Sequence, residues 1–371
     1  MEIIIQNKIK VPFLDLKVSN PIQKKRYLAR IDRMLSHGQI LEGPEIEEFE
    51  SQVATYCGSK FAIGVGSGTD ALVLALKALG IEKNDEIIVP CLSFIGTANA
   101  IASLDAKPVF VDISTQLTID DTKIKSAITS RTKAIMPVHF TGRLSPMPEI
   151  LSISKEYNIP VIEDAAPAFG ATYLGQKAGT FGIMGCLSMN PMKILNALGE
   201  AGVVLTNNQE LKDKIISYRY HGLNKNKDIC SRVSTNRRLD TLQAAILLER
   251  LADIDKVIHR RREIAKRYTE KLSQYVLTPK DPLHYKNVYY TYTILTKQNE
   301  PLAKYLLDEG IETKFYHKRL MTEHTPYINN HSQVFEIGNR VVKELLCLPL
   351  HEKLSDEQVE HVINTIKNYF E

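Results

Sequence analysis

Phe61-Ala62-Ile63-Gly64-Val65-Gly66-Ser67-Gly68-Thr69-Asp70-Ala71-Leu72-Val73-Leu74-Ala75-Leu76-Lys77-Ala78-Leu79 is the stretch from which the fold is read. Residues 61–65 form a short apolar run of strand type, and residues 69–79 carry apolar side chains at helical spacing. Between them lies a turn with three glycines, Gly64, Gly66 and Gly68. Outward from this unit the same alternation repeats. Apolar runs recur at residues 86–90, 108–112, 132–138, 159–163, 186–189 and 203–206, separated by helical patterns such as 118–128 and 147–157. Strand–helix alternation of this kind predicts an α/β fold with a mainly parallel central sheet and helices on both faces. In such sheets ligands bind beyond the carboxyl ends of the strands.

After residue 220 the pattern changes. A long helical segment over 239–275 leads to a Tyr-rich strand at 288–295, then helix, strand and a final helix over 356–369. These features predict a large domain, 1–250, and a smaller α+β domain, 251–371, that begins within the long connecting helix. The 371 residues have room for this division.

Four segments fall where a parallel sheet presents its ligand site. The glycine-rich turn 64–70 is either a phosphate cradle at a helix N-terminus or a simple turn, and it fits neither the dinucleotide nor the P-loop pattern. Glu163-Asp164, at the end of a buried run, are either a helix cap or a carboxylate awaiting a cation. Lys193, in Leu187-Ser188-Met189-Asn190-Pro191-Met192-Lys193, is either a surface lysine or a nucleophilic amine. Asn236-Arg237-Arg238-Leu239-Asp240 is either a capped helix start or a ligand contact. His139 ends a strand on the same side, where it either faces the site or is a satisfied core histidine.

Composition narrows the classes. Lys and Arg number 47 against 43 Asp and Glu, a net charge of +4, which does not support sequence-independent nucleic-acid binding. The densest basic stretch, 256–267, keeps helical apolar spacing and reads first as a solvated helix face, second as a basic rim serving a diphosphate ligand. The five cysteines are scattered without a C-x-x-C pair, and no histidine pair has ligand spacing, so neither disulfides nor a metal site is expected. Residues 3–5 are too short an apolar core for a signal peptide, and the uncharged stretch 87–104 reads as a buried strand and helix, not a membrane span. A cytoplasmic protein is expected.

Taken in this order, the four segments resemble the DegT/StrS sugar aminotransferases, a family of fold-type I pyridoxal-phosphate enzymes. The resemblance runs from Val11-Pro12-Phe13-Leu14-Asp15-Leu16 and Gly43-Pro44-Glu45 to Leu348-Pro349-Leu350-His351. It implies that Lys193 binds the aldehyde of pyridoxal 5'-phosphate and moves the proton, and that Asp164 pairs with the pyridine nitrogen. Phe94 is implied to stack on the ring, while Gly68, Thr69 and Ser188 hold the phosphate. Asn236 is implied to reach the site from the partner subunit of a homodimer with shared active sites.

The implied reaction moves an amine from an amino acid, L-glutamate by analogy, to a nucleotide-linked keto-sugar, with carbon 3 of the sugar favoured by the string 236–245. A related branch of sugar dehydratases carries histidine where Lys193 stands. A nicotinamide-dependent oxidoreductase or a non-catalytic nucleotide-sugar binder using residues 64–68 is the rival from another class. Three positions depart from the family's pattern. Pro167 replaces a Gln or His that bonds the cofactor's phenolate oxygen, so that contact is either missing or supplied elsewhere, with Asn190 and His139 the candidates. Met189 replaces an aromatic residue. Tyr316-His317-Lys318 replaces a His-Tyr-Pro motif, which makes Tyr316 and His317 candidate substrate contacts.

Overall fold

The computed structural model describes residues 9–328 and 334–371; residues 3–5, weighed above as a leader, lie outside them. The strands, in chain order, are β1 Phe61–Val65, β2 Glu86–Pro90, β3 Lys107–Val111, β4 Thr132–Ile135, β5 Ile162–Asp164, β6 Thr172–Tyr173, β7 Gln176–Lys177, β8 Met184–Ser188, β9 Gly202–Thr206, β10 Tyr285–Lys286, β11 Tyr292–Leu295 and β12 Leu345–Leu348. Strand order β3-β2-β4 is joined to β5-β8-β9-β1 by the parallel bridges Ile135–Val161 and Val138–Asp164. β2 runs parallel to β3 and β4, and β5 to β8, while β9 is antiparallel to both β8 and β1. The central sheet is thus mainly parallel, as the alternation predicts.

Its strands read as continuous apolar runs because both faces are covered. Along β2, Ile87 and Val89 enter one buried cluster and Ile88 the opposite one, as the two-residue strand period requires. The helix Gly68–Leu79 packs on the first face. Ser67 caps it, accepting the N–H of Asp70 at 3.0 Å, and Gly80 ends it at φ 87°. A third cluster combines Val11 with Ile264, Tyr268, Tyr292, Leu302 and Ile366. Val11, assigned by sequence to the first domain, bridges Ile311 and packs with the C-terminal elements.

Four local expectations are corrected. The segment 239–275 is two helices, Thr241–Leu251 and Ile254–Leu272, broken at Asp253, whose carboxylate is held by Arg26 and Lys256. Residues 118–128 form two 3₁₀ turns, because Asp120 Oδ1 takes both the N–H and the hydroxyl of Thr122, a local bond that competes with the α-helix. The Tyr-rich strand is only Tyr292–Leu295, since Tyr289 sits at φ 51°. Within the basic stretch, Arg261 is buried and donates to the carbonyls of Tyr289 and Leu350. That side chain ties two chain segments together and does not face solvent.

Candidate active site

β2, β5 and β8 point the same way, so their carboxyl ends bring Ser93-Phe94, Asp164 and Ser188 to one edge of the sheet. There they line a cleft of about 500 Å³ together with Gly68, Thr69, Pro167, Asn190, Lys193, Tyr290, Tyr316 and His317. Residues separated by more than 200 positions meet here.

The cradle is built by close approach. A Cβ on Gly68 would lie 2.6 Å from Cβ of Ser188, so only glycine lets the helix start sit against that serine. A Cβ on Gly202 would meet the Ser67 carbonyl oxygen at 2.2 Å, which fixes the turn from the other side. Helix starts leave their first N–H groups without intrahelical acceptors. Those of Gly68 and Thr69, beside the Ser188 hydroxyl, are suited to a phosphate. Phe94 presents a ring that is 62% exposed in the cleft, free to lie against a planar ligand.

Lys193 reaches the same space. Its Nζ stands 4.2 Å from the centroid of the Tyr290 ring. Burial lowers its pKa from 10.5 to about 8, against the opposing pull of the Asp164 and Glu200 carboxylates. An amine so placed loses its proton far more readily than a surface lysine. Asp164 is 3% exposed. Burial pushes its carboxyl above the usual range, countered by hydrogen bonds from the Thr97 hydroxyl at 2.7 Å and the Ala166 N–H at 3.2 Å and by the charges of Lys193 and His139. A desolvated carboxylate with no guanidinium bonded to it suits a protonated ring nitrogen. Amine, carboxylate, anion cradle and exposed aromatic ring together fit pyridoxal phosphate.

His139 is corrected. It does not line the cleft: its Nε2 lies 2.8 Å from Glu163 Oε2, and its Nδ1 accepts the Ser145 N–H at 3.1 Å. Glu163 also takes the N–H groups of Gly179, Phe181 and Gly182 at 2.7–2.8 Å. Asn190 does line the cleft, but its Nδ2 donates to Glu200 at 2.5 Å and its Oδ1 accepts the Met192 N–H. The contact missing at Pro167 is therefore not supplied by His139, whose two ring nitrogens are both engaged, whereas Asn190, in the cleft wall, keeps the second of its two Nδ2 protons beyond the bond to Glu200. Asn236 is exposed, its Oδ1 accepting from Arg238, and it lies outside this chain's own cleft.

Tyr316 and His317 also line the cleft, with His317 5.4 Å from the Phe140 ring and 6.3 Å from Phe94. Burial, then the Lys193 and His324 charges, lowers His317 to about 4, so it is neutral at pH 7. Thr141 and His317, both in the cleft wall, hold positive φ of 61° and 59° without being glycine, the kind of backbone strain that collects at functional sites. Sequence reading passed over Thr97 and Tyr290. Nothing in their neighbours distinguishes them, since a helical threonine and a strand-flanking tyrosine are ordinary core residues.

The comparisons agree with this geometry. Residues 21–367 match the model of the DegT/DnrJ/EryC1/StrS aminotransferase family. The UDP-2-acetamido-2-deoxy-3-oxo-D-glucuronate aminotransferase of Pseudomonas aeruginosa is 35% identical, over 96% of this chain and 100% of its own. The dTDP-3-amino-3,6-dideoxy-alpha-D-galactopyranose transaminase of Aneurinibacillus thermoaerophilus is 37% identical over 97% of this chain and 99% of its own. The crystal structure of NtdA from Bacillus subtilis with bound cofactor PMP superposes with a TM-score of 0.90 at 32% identity, covering 97% of this chain and 85% of that one. The nicotinamide-dependent oxidoreductase and the bare binder fall with these matches. A lysine, a buried aspartate and a phosphate cradle lining one cleft, on a chain matched almost end to end, place this protein in the DegT/DnrJ/EryC1/StrS aminotransferase family, with pyridoxal phosphate as its cofactor.

Proposed function

We propose that the protein transfers an amine from an amino acid, L-glutamate by preference, to the ketone of a nucleotide-linked sugar, at carbon 3. The observation that carries this reading is the pairing of Lys193, an amine lowered to about 8, with the buried Asp164 in one cleft. The two curated relatives named above act on a 3-oxo or form a 3-amino sugar, which supports the ring position.

The cofactor, when bound, supplies an electron sink for the carbon that loses or gains the amine. This chain's residues do the rest. Lys193 would hold the cofactor and, as a free amine, would move the proton between the amine-bearing carbon and the cofactor; a pKa of about 8 suits both directions. Asp164 keeps the ring nitrogen protonated, since an adjacent negative charge favours the cationic form. Gly68, Thr69 and Ser188 anchor the phosphate and Phe94 covers one ring face, so the plane in which the proton moves is fixed. Tyr316 and His317, in the cleft wall, face the sugar.

Two copies complete the arrangement, with Asn236 reaching the partner's phosphate cradle. Its exposure and its position outside its own cleft support that role. The five free thiols support a reducing compartment. The test is a panel of nucleotide keto-sugars incubated with glutamate and read by mass spectrometry, beside the visible band of the purified protein before and after borohydride. Amino-sugar product and a band that borohydride abolishes are expected. A protein that binds no pyridoxal phosphate refutes the reading.

A further inference from the structure

We propose that Thr97, its hydroxyl oriented by Ser93, is a positioning residue that keeps Asp164 ionised and turned to receive the ring nitrogen of the cofactor. The inference rests on the functional reading above, in which Asp164 meets that nitrogen. Thr97 stands in the first turn of the helix Gly96–Ala102, where a threonine hydroxyl can bond to nearby backbone. Thr97 instead donates to Asp164 Oδ2 at 2.7 Å, 67 residues further along the chain. Its only hydroxyl proton is thereby spent. The Ser93 oxygen, 3.1 Å from the Thr97 oxygen, must then be the donor of that second bond. The chain of donors runs one way, Ser93 to Thr97 to Asp164, and ends on a carboxylate.

All three side chains are buried, where a hydroxyl pointing at a carboxylate is worth more than in water. The β-branched threonine has few rotamers with which to turn away. The Thr97 N–H is bonded to the Phe94 carbonyl at 3.1 Å, so the element that presents the exposed ring also positions the carboxylate. The other groups around Asp164 are the Ala166 N–H on Oδ1, the charges of Lys193 and His139, and the thiol of Cys186, which burial beside Asp164 and Glu163 keeps protonated. Of these, the hydroxyl of Thr97 alone bonds Oδ2 among the described residues.

The experiment titrates the full-length, cofactor-free protein by infrared difference spectroscopy with ¹³C-labelled aspartate, Asp164→Asn identifying the band. Thr97→Val, which keeps the shape and removes the donor, should raise the Asp164 midpoint by about 1–2 units, the worth of one charge-assisted hydrogen bond. Thr97→Ser should restore it. Ser93→Ala should shift it in the same direction by less. Pyridoxal phosphate retention by Thr97→Val should fall about tenfold at pH 7 and recover as the pH rises, because Asp164 then ionises unaided. A purely structural threonine would lower the thermal midpoint and leave the Asp164 titration where it was. An unmoved midpoint in Thr97→Val overturns the proposal, as it does in Ser93→Ala should the valine variant not fold. Wild-type protein that binds no cofactor refutes the functional reading instead, and the titration separates the two.

Discussion

Replacing Lys193 with methionine should stabilise the cofactor-free protein while abolishing its chemistry. Burial lowers the Lys193 pKa from 10.5 to about 8. At roughly 1.4 kcal/mol per unit, holding the ammonium in the cleft of the cofactor-free protein costs roughly 3.5 kcal/mol relative to the neutral amine. Solvent entering the cleft lessens this figure, and losing the cation–π contact with Tyr290 gives back about 0.5–1 kcal/mol. A net gain of about 2 kcal/mol is expected at pH 7, where methionine has no charge to desolvate. The sign follows from proton counting. Between about pH 8 and 10.5 the folded chain binds fewer protons at this site than the unfolded chain, so the wild type gains stability as pH rises through that window. The variant lacks that gain.

Thermal midpoints of both cofactor-free proteins, at one protein concentration and from pH 7 to 10.5, read the effect. The variant should lead by a few degrees at pH 7 and lose its lead by the top of the range. No advantage at pH 7 would mean that the amine is not desolvated. An advantage that does not shrink with pH would mean that packing, not charge, is responsible. Either result refutes the argument for a tuned lysine.

Asp164→Ala should weaken pyridoxal phosphate retention by about 10- to 150-fold in equilibrium dialysis, the worth of a charge-assisted hydrogen bond, with Asp164→Glu milder; unchanged retention would make this acid a cap. Glu163→Ala leaves three backbone N–H groups and the His139 ring without their acceptor, at roughly 1–3 kcal/mol for each group left unpaired. Its thermal midpoint should fall steeply, although Glu163 does not line the cleft. Subunits carrying Asn236→Ala, mixed with subunits carrying Lys193→Ala, should regain activity, because each mixed dimer then holds one intact site. No recovery on mixing would place Asn236 in the service of its own subunit.

The local pattern was enough to place the strands that carry the site. β1 and β2 match their sequence runs, because apolar stretches bounded by Gly, Pro or charge have little freedom in a sheet buried on both faces. Lys193, Asp164, Phe94 and Ser188 were legible only together, as an ordered set resembling a family; singly, each had an ordinary structural reading. The helix expected over 118–128 failed because Asp120 offered the backbone a competing bond. His139 failed differently. Its strand end was correctly located, but which way the ring turns depends on Glu163, and on the Ser145 N–H that fixes its other nitrogen.

The sequence by itself determined the period of most elements, the order of the strands that carry the site, and the chemical types available at strand ends, because these depend on neighbours a few residues apart. Only the tertiary structure decided what each of those groups is worth. The Lys193 pKa is lowered by burial that residues from distant segments create, Asp164 takes a hydrogen bond from a hydroxyl 67 residues away, and Arg261 is buried in a stretch that reads as surface. Desolvation and hydrogen-bond partnership are properties of the folded surroundings, and no window along the chain contains them.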